Sequence, residues 1–224
     1  MLLARRTVTN LTACLFGLLI SAQPSVAQST ADPDQIPVWK TVTLGTVRSI
    51  IDLREALEAS ECAAATATNS ASTRSQTVPC RLGESANEIL GRSGFQLSAS
   101  RRQAELVLLS GKDLGFRPDV QPTLRQIYER AQTLGFALCA PDVGPALRLQ
   151  YTNQKIGEFL YIAMSPIRDY AGDQTIFSLG NGGAGLLLVG TGGDPDVRVS
   201  ATAPFVFMRP LLPPLEASVR QAKH

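Results

Sequence analysis

Histidine is almost missing from this sequence: the one histidine in 224 residues is the last, His224. That removes the usual basis for serine–histidine catalysis, for imidazole acid–base work and for zinc sites built on histidine. Charge of one sign is missing too. Twenty-one Lys and Arg stand against 19 Asp and Glu, so a strongly basic nucleic-acid binder is disfavoured and no nucleic-acid partner is expected. No apolar run is long enough to span a bilayer comfortably; Leu11 to Ala22 covers only 12 residues. Against these absences stands an apolar content of 44%, which suits one domain of ordinary size with a real core.

Residues 1–27 read as a secretory signal peptide. Arg5 and Arg6 make the positive start, Leu11–Ala22 the apolar centre, and Ser25-Val26-Ala27 a small-residue cleavage site before Gln28. A cut after Ala22 is the second choice, and an uncleaved amino-terminal anchor is the alternative. Leu11-Thr12-Ala13-Cys14 has the letters of a lipobox, so a lipid anchor through Cys14 is a further alternative, although the apolar segment follows the cysteine instead of preceding it. Arg5-Arg6 also suggests a twin-arginine signal, but Thr7-Val8-Thr9 continues it poorly. The expected location is periplasmic or secreted, with no membrane span after cleavage. The mature chain loses two basic residues and no acidic ones, which leaves it neutral, with no steering toward DNA or anionic lipid.

Export implies an oxidising compartment. Cys62 and Cys80 bracket an Ala/Thr/Ser/Asn-rich stretch, 63–79, that reads as an inserted solvent-exposed loop. A Cys62–Cys80 disulfide is expected to clamp its base, worth about 3 kcal/mol on the loop-entropy model. Cys139, in Phe136-Ala137-Leu138-Cys139, is expected to be a buried small hydrophobe.

The organisation expected after a polar lead-in, 28–36, is a single α+β domain over 37–210. Helices fall mainly in its first half and an antiparallel sheet or partial barrel in its second, and 211–224 form a tail. Ile36–Leu44 alternates as a strand. Ser49 caps a helix running to about Ser60, and Glu84–Leu90 is a shorter helix ended by Gly91. Thr123-Leu124-Arg125-Gln126 is a capping box that opens the clearest helix of the chain. Phe95–Ser98, Glu105–Leu109, Ala146–Tyr151, Glu158–Met164, Gln174–Leu179, Leu186–Val189, Val197–Val199 and Phe205–Met208 read as strands.

Gly180-Asn181-Gly182-Gly183-Ala184-Gly185 spells a dinucleotide fingerprint, but only four apolar residues follow it, too few for the helix that binds pyrophosphate. Asn181-Gly182 reads as a hairpin turn, because both residues tolerate positive φ. Gly193-Asp194-Pro195-Asp196 reads as a turn, short of the ligands a calcium loop needs. The most distinctive segment runs from Ala140-Pro141-Asp142-Val143-Gly144-Pro145 into Ala146–Tyr151. As a strand it puts Leu147, Leu149 and Tyr151 on one face and Arg148 and Gln150 on the other. Arg148 then either holds an anionic group bidentately or pairs with Glu158 on an adjacent strand. Arg148, Gln150, Tyr151 and Glu158 are the candidate binding residues; no catalytic residue, cofactor or metal is expected. Glu158, Asp169 and Asp173 are the nearest carboxylates for acid–base work.

Four blocks carry a resemblance: Trp39-Lys40-Thr41-Val42-Thr43-Leu44-Gly45, Leu138-Cys139 through Tyr151, Gly157-Glu158-Phe159-Leu160-Tyr161-Ile162-Ala163-Met164, and Phe205-Val206-Phe207-Met208-Arg209. Together they resemble an uncharacterised family of bacterial proteins with no established activity, over most of 37–210. The resemblance implies no catalytic residue. Its members run straight through the region of 63–79, in keeping with an insert, and tend to carry Glu where this chain has Asp142. The expected function is binding or interaction without catalysis, with an envelope protein or glycan as the possible partner. The alternative is a carboxylate-dependent hydrolase of an envelope polymer such as glycan, which requires two carboxyls at a suitable separation.

Overall fold

The computed structural model describes residues 36–59, 61–63, 77–183 and 185–209. The expected signal peptide, most of the lead-in and the tail lie outside these residues, as do 64–76 of the expected insert. The elements in chain order are β1 (Lys40–Leu44), α1 (Ile50–Ala59), β2 (Glu61–Ala63), β3 (Thr77–Leu82), α2 (Glu84–Leu90), β4 (Arg102–Ser110), α3 (Leu124–Thr133), α4 (Val143–Gln150), β5 (Phe159–Ile162), β6 (Ile167–Arg168), β7 (Gln174–Asn181), β8 (Leu186–Gly192) and β9 (Pro204–Met208). None of the described helices is long and apolar enough to cross a membrane.

Local chemistry places the first three helices as their sequence suggests. The Ser49 hydroxyl accepts from Asp52 N at 3.0 Å at the start of α1. Thr123 Oγ1 accepts from Gln126 N, and Gln126 Oε1 accepts from Thr123 N, so the capping box of α3 is complete. Leu124, Ile127 and Ala131 make its buried stripe.

The strands form a mixed sheet in the order β1-β4-β9-β5-β7-β8-β3-β2, with β6 added on β7. Most pairs are antiparallel, but β5–β9 and β3–β8 run parallel. The α+β class therefore holds. The sheet is neither purely antiparallel nor confined to the second half, since β1 and β4 form one flank of it. Two of the four described helices, α3 and α4, lie past the midpoint of the chain. β4 sits between β1 and β9, in keeping with its apolar run Leu106–Leu109.

Three expected strands are corrected. Phe95–Ser98 and Val197–Val199 have no strand partner along their length; Arg198 makes one isolated bridge to Thr123. The third correction matters most: Ala146–Tyr151 is not a strand but the body and C-cap of α4. Its alternation of apolar and polar letters is also compatible with a helix buried on nearly every side. Val143, Gly144, Pro145, Leu147 and Arg148 are all buried. Pro145 is tolerated because it falls in the first turn, where its missing N–H bonds nothing.

α4 contacts β1 near one end of the sheet order and β7 and β8 toward the other. The sheet therefore curls around this helix, and α4 plugs its concave side. Gly144 allows the approach: a Cβ there would lie 2.9 Å from the Cβ of Phe177 on β7. The glycine-rich run is the β7–β8 hairpin, with Asn181 opposite Leu186. Positive φ falls on Gly183 and Gly185.

Candidate functional site

The two ends of α4 hold the polar groups of interest. At the C-terminal end, Arg148 is fully buried. Its Nη1 donates to Gln154 Oε1 at 2.5 Å and its Nη2 to the Tyr151 carbonyl. Gln154 Nε2 in turn donates to the Glu158 carbonyl at 3.0 Å and the Leu179 carbonyl at 3.3 Å. Asn181 Nδ2 donates to the Gln154 carbonyl at 2.7 Å. The Tyr151 hydroxyl donates to Glu158 Oε2 at 2.7 Å. Trp39 meets the Tyr151 ring edge-on at 5.3 Å, and the Lys40 ammonium sits 4.2 Å from that ring's centre.

Burial pulls the Arg148 guanidinium down to about 10, opposed by Tyr151 and Glu158. Burial and the Glu158 carboxylate push the Tyr151 hydroxyl well above its ordinary value. The structure thus brings Arg148, Tyr151 and Glu158 together, but Arg148 neither faces a ligand nor forms an ion pair with Glu158. Its two terminal nitrogens are taken by an amide and a carbonyl of the same segment, and its Nε is buried without a partner. The helix is the reason: it turns Arg148 inward, where a strand would have offered it to a concave surface.

Gln150 does not join this network. It projects to β1, where Oε1 accepts from Thr43 N at 2.9 Å and Nε2 donates to the Thr43 carbonyl at 2.9 Å. It thereby copies one rung of a neighbouring strand on the free edge of β1. Gln154 and Asn181 escaped the sequence reading because their role depends on a turn that brings them under α4.

The N-terminal end of α4 is different. Asp142 is the N-cap residue, its side chain makes no capping bond, and it is only 4% exposed. Oδ2 accepts from Ser98 N at 2.9 Å, while Oδ1 is buried with no partner. Asp142 lines a cleft of about 270 Å3, counting its mouth, whose walls include Val47, Leu53, Leu97, Ala146 and Leu149. Gly45 and Thr46 complete the rim. Gly45 must be glycine: its φ is +68°, and a Cβ would lie 2.3 Å from the Ser100 carbonyl oxygen. This turn leads from β1 directly to the cleft. The signal for Asp142 was present in the sequence, as a carboxylate before Val143-Gly144-Pro145, with Val143, Leu147 and Tyr151 spaced by four.

Other reactive groups have little freedom. Cys139 is buried, its Sγ lies 3.3 Å from the Val206 carbonyl, and burial pushes the thiol well above its ordinary value. Asp169 and Asp173 share one turn, where Asp169 Oδ1 accepts from Asp173 N at 2.9 Å. The Asp194–Asp196 turn is tied to α3 by the Arg125–Asp196 ion pair at 3.1 Å. Among the described residues no group of three or more His, Cys, Asp or Glu could hold a metal. Cys80 is buried beside Leu186; the side chain of Cys62 lies outside the described residues.

Comparison with protein-family models, with curated proteins and with solved structures finds no match to this chain.

Proposed function

We propose that this chain is an exported binding domain that works without catalysis, and that it belongs to the uncharacterised bacterial family it resembles. One observation carries the reading: the buried Asp142 carboxylate keeps an oxygen without a protein partner beside a cleft. A polar atom left in that condition costs about 1–3 kcal/mol, and an arriving donor relieves the cost.

The hydrolase alternative finds less support. Asp142 and Tyr151, the partner of Glu158, stand at opposite ends of α4, about 13 Å apart along its rise, and among the described residues no second carboxylate lines the Asp142 cleft. Glycoside hydrolysis uses carboxyls roughly 5–9.5 Å apart. Export and the Cys62–Cys80 bridge belong to the same proposal. In the β2–β3 register Cys62 stands opposite Val78, two positions before Cys80.

Thermal unfolding of the mature protein, with and without a soluble extract of the bacterial envelope, tests the binding reading. A raised midpoint that Asp142→Asn abolishes supports it. Release of new reducing ends from envelope glycan would move the assignment to the hydrolase, and no shift with any fraction would remove the binding role. Intact mass and thiol titration of the fractionated protein test the rest. A species starting near Gln28 with one free thiol is expected; an acylated Cys14 start would instead make it a lipoprotein.

A further inference from the structure

We infer that the Asp142 cleft receives a primary ammonium group carried on a short apolar stem. The inference rests on the binding reading above and deepens it. Asp142 is the acidic residue of the cleft lining, and that lining contains no Lys, Arg or His to neutralise it. Asp142 also stands at the N-cap position of α4, beside the positive end of the helix dipole. A negative charge against apolar walls selects a cation, because the low local dielectric strengthens their attraction.

The geometry narrows the class of cation. Oδ2 is already taken by Ser98 N, so the buried Oδ1 is the one oxygen left without a partner. A guanidinium, whose fork is best matched by two oxygens, gains little there. A calcium ion requires six to eight oxygen ligands, while the lining offers one free carboxylate oxygen and the Thr46 hydroxyl as side-chain oxygens. A compact ammonium needs only one strong acceptor. The cleft has room for one such head. Val47, Leu53, Leu97 and Leu149 provide apolar surface for a stem. Both a free alkylamine and the side chain of a lysine present this chemistry.

The test is an amide chemical-shift titration of the mature protein with n-butylammonium chloride, using 1-butanol and potassium chloride as controls. Saturable shifts at Ser98 and Val143 with butylammonium, absent with both controls, are expected. Asp142→Asn keeps an oxygen for Ser98 N, and it should weaken binding about tenfold or more, the loss of one charge-assisted hydrogen bond. Ala146→Leu, which narrows the cleft and keeps the carboxylate, should weaken it as well. Nα-acetyl-lysine amide separates the sources: binding tighter than butylammonium assigns a lysine side chain, and weaker binding assigns a free amine. Equal shifts from butanol and butylammonium, or shifts unchanged in both variants, would overturn the inference. So would no shift at all, which would mean that water satisfies Oδ1. If the envelope extract still raises the unfolding midpoint in that case, only the ammonium assignment falls and the binding domain stands.

Discussion

The two ends of α4 handle buried charge in opposite ways. At the C-terminal end the guanidinium of Arg148 is sealed in, and both terminal nitrogens have partners within the same stretch of chain. Its Nε has none, but the side chain exposes no surface to a ligand. At the N-terminal end Asp142 is held through one oxygen only, beside a cleft that opens to solvent. A charge whose partners are built into the fold is a structural element; a charge left half-satisfied beside a cavity is where a ligand gains most.

Substitutions along this helix can break that comparison. Arg148→Ala should have the largest effect, a loss of about 4 kcal/mol in denaturant unfolding, because it leaves a cavity and strips the partners of a buried charged donor. Arg148→Met, which keeps the volume, should recover part of that loss. Gly144→Ala follows at about 2 kcal/mol, since the new methyl must displace Phe177 or lift the helix off β7. Gln150→Ala should cost about 1 kcal/mol. It should also speed hydrogen exchange at the Thr43 amide and promote concentration-dependent association through the uncovered β1 edge. Asp142→Asn should have the smallest effect, a gain of no more than about 1 kcal/mol, as loss of an incompletely paired charge offsets loss of its interaction with the helix start. Equal destabilisation by Arg148→Ala and Asp142→Asn would erase the contrast between the two ends.

Much of the fold was legible before any coordinates. α1, α2 and α3 carry their own start or stop chemistry in Ser49, Gly91 and the Thr123–Gln126 capping box, so short-range bonding alone marks them. β1, β4, β7, β8 and β9 were visible because alternation or a dense apolar run suits a strand at any position in a sheet. α4 was not, because its letters also alternate as a strand's do, and a helix enclosed by a curled sheet has no polar face to mark the spacing of Val143, Leu147 and Tyr151. The candidate residues inherited that error. Arg148, Tyr151 and Glu158 do assemble, with Arg148 turned inward, and Gln150 bonds the edge of β1. Asp142 gained its significance only once Ser98 and the turn after Gly45 had been brought beside it.

What the sequence by itself determined is the inventory and the local punctuation. It set a near absence of histidine, a balanced charge, the positions of caps and turns, and enough apolar length for one core. These follow from residue identity and from contacts within a few positions along the chain. Only the tertiary structure decided which of the distinctive polar residues is sealed in the core and which stands beside a cleft. Satisfaction of a buried group depends on partners brought from distant parts of the chain: Ser98 lies 44 residues from Asp142, and Thr43 lies 107 from Gln150. Those meetings are fixed by the curl of the sheet around α4, a global shape that no short stretch of sequence encodes.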